Sequence, residues 1–333
     1  MRFIEQPGNQ QGAPPYYFQG VQVRSFPMPA DMGALGDYCR RYLNLFAPEC
    51  WFEPVVPLVY LAVNHYPHME SSEHGEPITA SYMRQHEYGF MVPVIRWQRG
   101  PLGLHFPRLT WVFPFIGVDN ATSAITGQEV LGFQKAVGKI DVKEDDARYR
   151  VKVAMPGFGT FGEQDKLQEL LTLRATRALD LPAALLPTGQ AAFLKKAGAR
   201  GHHPLNLGLG GLGLGLDILE QLVEQWLELV APGLLSVTNL KQFRDPAAPD
   251  EAAYSALVEC HWYCRHFTDA ALYEAPTVTI RDNFILAVAG TLGLKPKGHA
   301  MAGLGKGLHY EVLPGFGFTA DMEFGNPRNL LTA

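Results

Sequence analysis

The sequence has little of what marks secreted, membrane-spanning or nucleic-acid-binding proteins. Its four cysteines in 333 residues form no C-x-x-C pair, which is typical of free buried thiols in a reducing compartment, so we predict a cytoplasmic location. The N-terminus lacks the basic-then-apolar order of a signal peptide, and no apolar stretch of about 18 residues is free of charges and helix breakers. A formal net charge of −5 offers no basic surface for a phosphate backbone. We therefore predict neither a membrane nor a nucleic acid as partner.

What the sequence does have is apolar residues in β-type patterns. Hydrophobic residues make up 47% of the chain and charged residues 18%, which is enough to bury a large core. Strand-like runs separated by Gly, Pro and Asp-rich turns extend from residue 55 to about 154 and return after residue 231. The turns leave no room for crossover helices, so the pattern predicts an antiparallel, curved or closed sheet.

Helical periodicity occurs in three places. Residues 31–46 show apolar residues at helical spacing, and so do residues 166–181 and 216–230, which flank a Gly/Leu-rich stretch. Strand patterns resume beyond the third. We therefore predict a single domain over 1–333 with a helical insertion at about 163–231, which covers the sheet or contributes to a subunit interface.

Two tempting motifs are better explained as loops. Gly208-x-Gly210-x-x-Gly213 matches a dinucleotide-binding fingerprint, but the residues before it do not form the strand that such a site requires. His65-x-x-His68 lies in a segment broken by Pro67 and lacks the helical pairing of metal-binding imidazoles, so we predict a solvated loop there. No metal and no cofactor are predicted.

Lys135 stands out because its sequence neighbours are small or apolar. Most lysines with such neighbours keep their ammonium in water along an apolar stem. A lysine enclosed in an apolar pocket behaves differently, since burial favours the neutral amine and only the neutral amine attacks a carbonyl carbon. The residues around Lys135 leave both interpretations open.

A family resemblance favours the second interpretation. Four short motifs lie around Lys135 and upstream of it: Asp119-Asn120, Gly127-x-Glu129, Gly132-Phe133-x-Lys135 and Glu87-x-Gly89-x-x-x-Pro93-Val94. In order and spacing they resemble the active-site region of the acetoacetate decarboxylase-like superfamily. The resemblance covers residues 15–155 well and 235–322 loosely. It implies a mainly antiparallel α+β fold in which the curved sheet closes into a barrel or cone with peripheral helices, and it implies a homo-oligomer.

The resemblance also implies roles for individual residues. Lys135 matches the lysine that forms a Schiff base with substrate, and Glu87 matches an acidic residue that could relay protons. We expect the Lys135 amine within ~6 Å of the Glu87 carboxyl, the range over which charges influence each other. Arg24 and Phe133 are predicted to bind substrate, Arg24 because it is the nearest cation to a position where the family carries an arginine.

This chain also departs from the family. Ala136 replaces a second lysine that follows the first, Gln134 replaces a proline, and Val21 and Ala62 stand where the family has an arginine and a glutamate. The resemblance therefore implies a Schiff-base lysine lyase for a small keto acid or keto-acyl substrate, by decarboxylation or by aldol/dehydration chemistry. Two alternatives stay open, a relative that binds a small molecule without turnover and a cyclase or hydratase on the same scaffold.

Overall fold

Strands dominate the structure, a computed structural model that describes residues 12–73, 76–77, 82–100, 103, 105–181, 234–283, 285–298 and 307–332. Within these ranges there are fifteen strands and three short α-helices. The strands are β1 (Tyr16–Pro29), β2 (Cys50–Pro54), β3 (Leu58–Glu73), β4 (Glu76–Pro77), β5 (Met83–Arg99), β6 (His105–Val118), β7 (Lys135–Val137), β8 (Lys139–Glu144), β9 (Arg148–Gly157), β10 (Lys166–Leu181), β11 (Leu234–Arg244), β12 (Ala252–Arg281), β13 (Gly307–Tyr310), β14 (Gly315–Phe324) and β15 (Arg328–Thr332). The helices are α1 (Met32–Tyr38), α2 (Ala121–Leu131) and α3 (Val288–Leu292).

Seven strands form a closed ring. Their order is β11-β6-β5-β3-β1-β14-β12, and β12 pairs again with β11. β12 is long enough to pair with β11 through its first half, with β14 through its middle and with β10 through its end. β10, β9 and β8 continue the sheet beyond the ring. The strand pairings among the described residues are antiparallel except β6 with β11 and β6 with β7, which confirms the predicted mainly antiparallel fold.

Buried side chains form two clusters on the two faces of this sheet. The ring cluster includes residues from all seven ring strands, among them Phe18, Trp111 and Trp262. The extension cluster includes residues of β8, β9 and β10. Alternate residues of β1 reach different clusters, as Val23 packs on the ring cluster and Phe26 belongs to the extension cluster, because successive side chains of a strand point to opposite faces.

The predicted helix over 166–181 is wrong, since these residues form β10. Leu171, Leu173 and Ala175 are buried in alternation, as in a strand. The register of β10 shifts against β9 between Glu169 and Leu171 and shifts twice more against β12. Each bulge adds one residue to the alternation and makes a period of two resemble a helical one. The remainder of the predicted insertion, with the helix over 216–230 and the glycine motif, lies outside the described residues.

The predicted loop around His65 and His68 is also wrong, because both residues lie in β3 and pair with β1. Pro67 is accommodated at an irregularity, where the β1–β3 register skips two residues on each strand. The facing Gly20 has a φ of +62°, and proline is tolerated in a sheet at such a bulge. Within the described part of the chain, no group of three or more His, Cys, Asp or Glu side chains is placed to hold a metal ion.

Other local predictions have mixed outcomes. The helix over 31–46 is confirmed as α1 followed by a π-helical and a 3-10 turn, and the Asp31 carboxylate caps its start. The continuous strand pattern to residue 154 is interrupted by α2, which we did not predict. All four cysteines are free, and three are buried. In the described ranges, no helix has the length and apolar character needed to cross a membrane.

Candidate active site

Lys135 is placed by a helix with well-defined ends. The Asn120 side chain accepts a hydrogen bond from the Ser123 amide at the start of α2, as an N-cap residue should. Gly132 ends the helix with a φ of +74°, a left-handed conformation that glycine adopts without strain. The chain then enters β7, where Lys135 pairs in parallel with Ile116 of β6. The lysine side chain is thereby brought beneath α2.

The side chain of Lys135 passes directly against the backbone of α2 at Gly127. A Cβ atom added at Gly127 would lie 2.8 Å from Cε of Lys135 and 2.9 Å from its Cδ. Real Cβ atoms do not approach other carbons this closely, so the absence of a side chain at this turn of the helix makes room for the lysine. This is a physical reason for one glycine of the motif noted in the sequence.

Replacing Gly127 with alanine should move the amine without unfolding the protein. Alanine favours a helix over glycine by up to ~1 kcal/mol, and the group that must yield is a flexible lysine chain. A misplacement of about 1 Å can reduce the rate of a positioned reaction ~100-fold, so we expect imine formation at Lys135 to fall at least tenfold while the melting temperature changes little.

The matched control for this variant is Gly36→Ala, in α1. A Cβ there would meet its nearest atom at an ordinary 3.6 Å. Imine formation should be unchanged in this control. Equal rates for Gly127→Ala and the wild type, measured by borohydride trapping of a carbonyl compound, would contradict the proposed role of Gly127.

The Lys135 amine forms a buried ion pair with Glu87. Nζ lies 2.9 Å from Oε2 of Glu87, and the two side chains are 7% and 4% exposed. This distance is well inside the expected ~6 Å. Nζ also donates to Oγ of Ser123 on α2 at 3.3 Å. The structure therefore places Lys135 beside Glu87, as the resemblance implied. The chemical roles of the two residues stay a proposal.

Three further side chains donate to the Glu87 carboxylate. Tyr66 and Asn64 donate to Oε1 at 3.3 and 3.4 Å, and Gln85 donates to Oε2 at 3.4 Å. Burial, followed by the nearby Glu87 carboxylate, raises the pKa of Tyr66 well above its usual range, so Tyr66 stays a hydrogen-bond donor. These donors fix the carboxylate against the amine.

Two small cavities flank this group of side chains. The first has a volume of about 40 Å³ and contacts both Lys135 and Glu87. Its other walls are mostly apolar. Two residues of the lining are joined by a hydrogen bond, in which the Gly12 amide donates to Oγ1 of Thr126 at 3.2 Å. The second cavity, also about 40 Å³, is lined by Asn64, which bonds directly to Glu87. The walls of the first cavity include Tyr16, Phe18, Tyr66, Met69, Leu131 and Phe324.

The two predicted substrate-binding residues have different positions. Phe133 is buried in the ring cluster, and its ring centroid lies 5.6 Å from the Lys135 Nζ. Arg24 is not among the residues that line either cavity. Its guanidinium is paired with Glu144 at 3.2 Å and donates to the carbonyl of Phe318 at 3.0 Å. The structure brings Phe133 to the amine and does not bring Arg24 there.

Ala136 is separated from the amine by the geometry of β7. Its side chain packs against the extension cluster, while Lys135 reaches Glu87 and the cavity that borders the ring cluster. A lysine at position 136 would therefore not place its charge beside the Lys135 amine. In this fold, a side chain at 136 leaves the strand on the other face.

We therefore expect Ala136→Lys to leave imine formation unchanged and to lower stability. An ammonium at this partly buried apolar face would be desolvated at a cost of ~1–3 kcal/mol. Ala136→Met adds a chain of similar length without the charge and is the control. Denaturant unfolding and borohydride trapping measure the two effects, and faster trapping in Ala136→Lys alone would refute the opposite-face assignment.

The sequence analysis did not identify the residues that surround Glu87, although the spacing of some of them along the chain indicates a shared face. Gln85 and Glu87 are two apart in a strand and so share a face, and Asn64 lies opposite Glu87 in the β3–β5 register. Ser123 and Gly127 are four apart on a helix and also share a face. The helix was not predicted, and strand register cannot be derived from one sequence, so these groupings were not made.

Comparisons with known proteins bear on the fold. No protein-family model and no curated protein matches this chain. Solved structures do match. An acetoacetate decarboxylase from Legionella pneumophila has a TM-score of 0.60 and 12% identity over 100% of this chain and 93% of its own.

Two further structures agree with the first. A second acetoacetate decarboxylase has a TM-score of 0.54 and 12% identity over 97% of this chain and 92% of its own. MppR, an enzyme of enduracididine biosynthesis, has a TM-score of 0.55 and 12% identity over 96% of this chain and 89% of its own. The chain therefore has the acetoacetate decarboxylase-like fold that its sequence motifs resemble.

Proposed function

We propose that this protein is a carbon–carbon lyase that forms a Schiff base between Lys135 and a small keto acid or keto-acyl substrate. The observation that carries the proposal is the contact of 2.9 Å between the Lys135 amine and the Glu87 carboxylate, both buried beside a cavity. A lysine used only for solubility would place its ammonium in water. The likeness to two acetoacetate decarboxylases and MppR supports the scaffold.

The ion pair supplies a route to the neutral amine that the reaction requires. Transfer of one proton from Nζ to Oε2 of Glu87 gives a neutral amine and a neutral acid. The transfer needs no other group, because the two atoms are already in hydrogen-bond contact. The amine then attacks the carbonyl carbon and passes one proton to the carbonyl oxygen. The acid gives its proton to the same oxygen, which leaves as water and gives an iminium. Tyr66, Asn64 and Gln85 keep the carboxyl group in place during both transfers.

The iminium formed in this way is the electron sink for bond cleavage. When the neighbouring carbon–carbon bond breaks, its electron pair moves to the iminium nitrogen and gives an enamine. Protonation of the enamine carbon and addition of water then release the product and regenerate the lysine. Decarboxylation and retro-aldol cleavage share these steps and differ only in the group that departs.

Reductive trapping tests this proposal on the wild-type protein. Incubation with a small carbonyl compound and sodium borohydride should reduce the iminium to a stable secondary amine. Peptide mass spectrometry should then find the added mass on Lys135. Modification of exposed lysines without modification of Lys135 would contradict the proposal and favour a protein that binds its ligand without covalent chemistry. A homo-oligomer and a cytoplasmic location stay predictions.

A further inference from the structure

The described lining of the two cavities offers no spare positive charge for a substrate carboxylate. Among those lining residues the charged side chains are Lys135, Glu87 and Glu70. Lys135 is already paired with Glu87, and Arg24 is paired with Glu144 on the other side of β1. A carboxylate entering the cavity would meet two acids and one cation that must become neutral before it can react. Burial of an unpaired carboxylate is costly.

The same cavities do offer unused hydrogen-bond acceptors. Oε1 of Gln85 and Oδ1 of Asn64 are both buried and have no hydrogen-bond partner among the residues that the structure describes. Their orientation is determined, since each amide nitrogen donates to the Glu87 carboxylate and the oxygen must then face the other way. Gln85 lines the first cavity and Asn64 the second. A buried acceptor without a partner costs free energy that a ligand with a donor can recover.

Gln85 lies close to the position of the reacting carbonyl. Its amide nitrogen and the Lys135 amine donate to the same atom, Oε2 of Glu87. A ligand whose carbonyl carbon is attached to Lys135 therefore has its neighbouring carbons close to the Gln85 side chain. A cavity of about 40 Å³ holds ~three water-sized groups, so this part of the ligand is small.

We propose that the substrate is an uncharged β-hydroxy carbonyl compound whose hydroxyl group donates to Gln85. This inference rests on the proposed function in taking the imine at Lys135 as given, and it replaces the keto-acid substrate of that proposal with an uncharged one. It makes the reaction a retro-aldol cleavage rather than a decarboxylation, as the substrate has no carboxylate to lose. For cleavage, the β-hydroxyl turns from the Gln85 oxygen to the adjacent Glu87 carboxylate, gives its proton there and becomes a carbonyl. The electron pair of the Cα–Cβ bond moves to the iminium nitrogen, and an aldehyde departs.

Three probes of nearly equal size separate the possibilities. 4-Hydroxy-2-butanone is uncharged and has the β-hydroxyl group, 2-butanone lacks the hydroxyl, and acetoacetate carries a carboxylate in its place. At equal concentration, we expect borohydride trapping on Lys135 to be about tenfold faster with 4-hydroxy-2-butanone than with either other probe. Such a ratio is typical of one hydrogen bond to a buried acceptor. Equal or faster trapping of acetoacetate would overturn the inference and leave the proposed function intact.

Substitution of the acceptor gives the second test. Gln85→Met keeps the length of the side chain and removes the oxygen. Loss of its donation to Glu87 would change trapping of both ketones together, so the informative quantity is their ratio. We expect this ratio to fall to about one, and an undiminished ratio would overturn the assignment of Gln85. If no probe modifies Lys135 in the wild type, the proposed function itself fails. The comparison of the three probes uses the wild-type protein, so it stays informative even if Gln85→Met does not fold.

Discussion

Lys135→Met should abolish borohydride trapping at the active site. Methionine has nearly the length of lysine and no amine, so no imine can form. Lys135→Arg should fail equally, because a guanidinium stays protonated and its nitrogens do not attack carbonyls. Trapping rates and the mass of the 135 peptide measure both effects. We expect the loss in each variant to be complete rather than partial.

The fold should survive these substitutions, although Lys135→Met should lower stability because it leaves the buried Glu87 carboxylate without its counterion. In Lys135→Met, the Glu87 carboxylate retains its three other donors, Tyr66, Asn64 and Gln85. Lys139→Met, at an exposed position in β8, is the matched control and should trap at the wild-type rate. Persistent trapping in Lys135→Met, with the label on another lysine, would show that the buried ion pair is structural.

Glu259→Gln should be among the most destabilising substitutions in the protein. The Glu259 side chain is 1% exposed, and its carboxylate is 2.6 Å from Nη1 of Arg96, which is 0% exposed. Arg328 donates to the other carboxylate oxygen through Nε at 2.8 Å. Removing the charge of Glu259 leaves a buried guanidinium without a counterion, and breaking a buried pair in this way costs ~3–5 kcal/mol. Denaturant unfolding measures the loss.

The contribution of Glu259 should also depend on pH. Burial alone would raise the pKa of its carboxyl, but Arg96 and Arg328 outweigh burial and hold the pKa below its ordinary value of 4.5. A group whose pKa is depressed by folding stabilises the fold above its unfolded pKa and loses this effect as the pH falls through the folded one. The difference between wild type and Glu259→Gln should therefore be constant near pH 7 and shrink below about pH 4.5.

Glu49→Gln is the matched control for the buried pair. Glu49 forms an ion pair with Arg99 at 2.9 Å, but both side chains are about half exposed. Exposed pairs of this kind contribute ~0–1 kcal/mol, so the same chemical change should have little effect. Similar losses for the two variants would contradict the importance of burial at Glu259.

Lys135 could be selected from the sequence because the motif around it is short and local, although the helix between Asn120 and Gly132 was not predicted. β10 could not be predicted in the same way. Its leucines, alanines and arginines favour a helix, and only pairing with β9 and β12 makes it a strand.

The surroundings of Glu87 were harder to predict because they depend on contacts between distant segments. Asn64 faces Glu87 only through the register of β3 and β5, and Tyr66 joins them from two residues further along β3. The position of Arg24 followed from which face of β1 it occupies, and the irregularity at Gly20 sets that alternation. Such facts belong to the tertiary structure rather than to any single stretch of sequence.

The parallel junction in the ring gives the sheet one weak joint. β6 and β11 share a single backbone bridge, between Trp111 and Val237, whereas the other ring strands are joined by longer antiparallel ladders. Side chains reinforce this joint, since the Thr110 hydroxyl contacts those of Ser236 and Thr238. Local opening is least costly where the fewest backbone hydrogen bonds must break. The ring can therefore open locally between β6 and β11 while the ladders around the buried lysine stay intact.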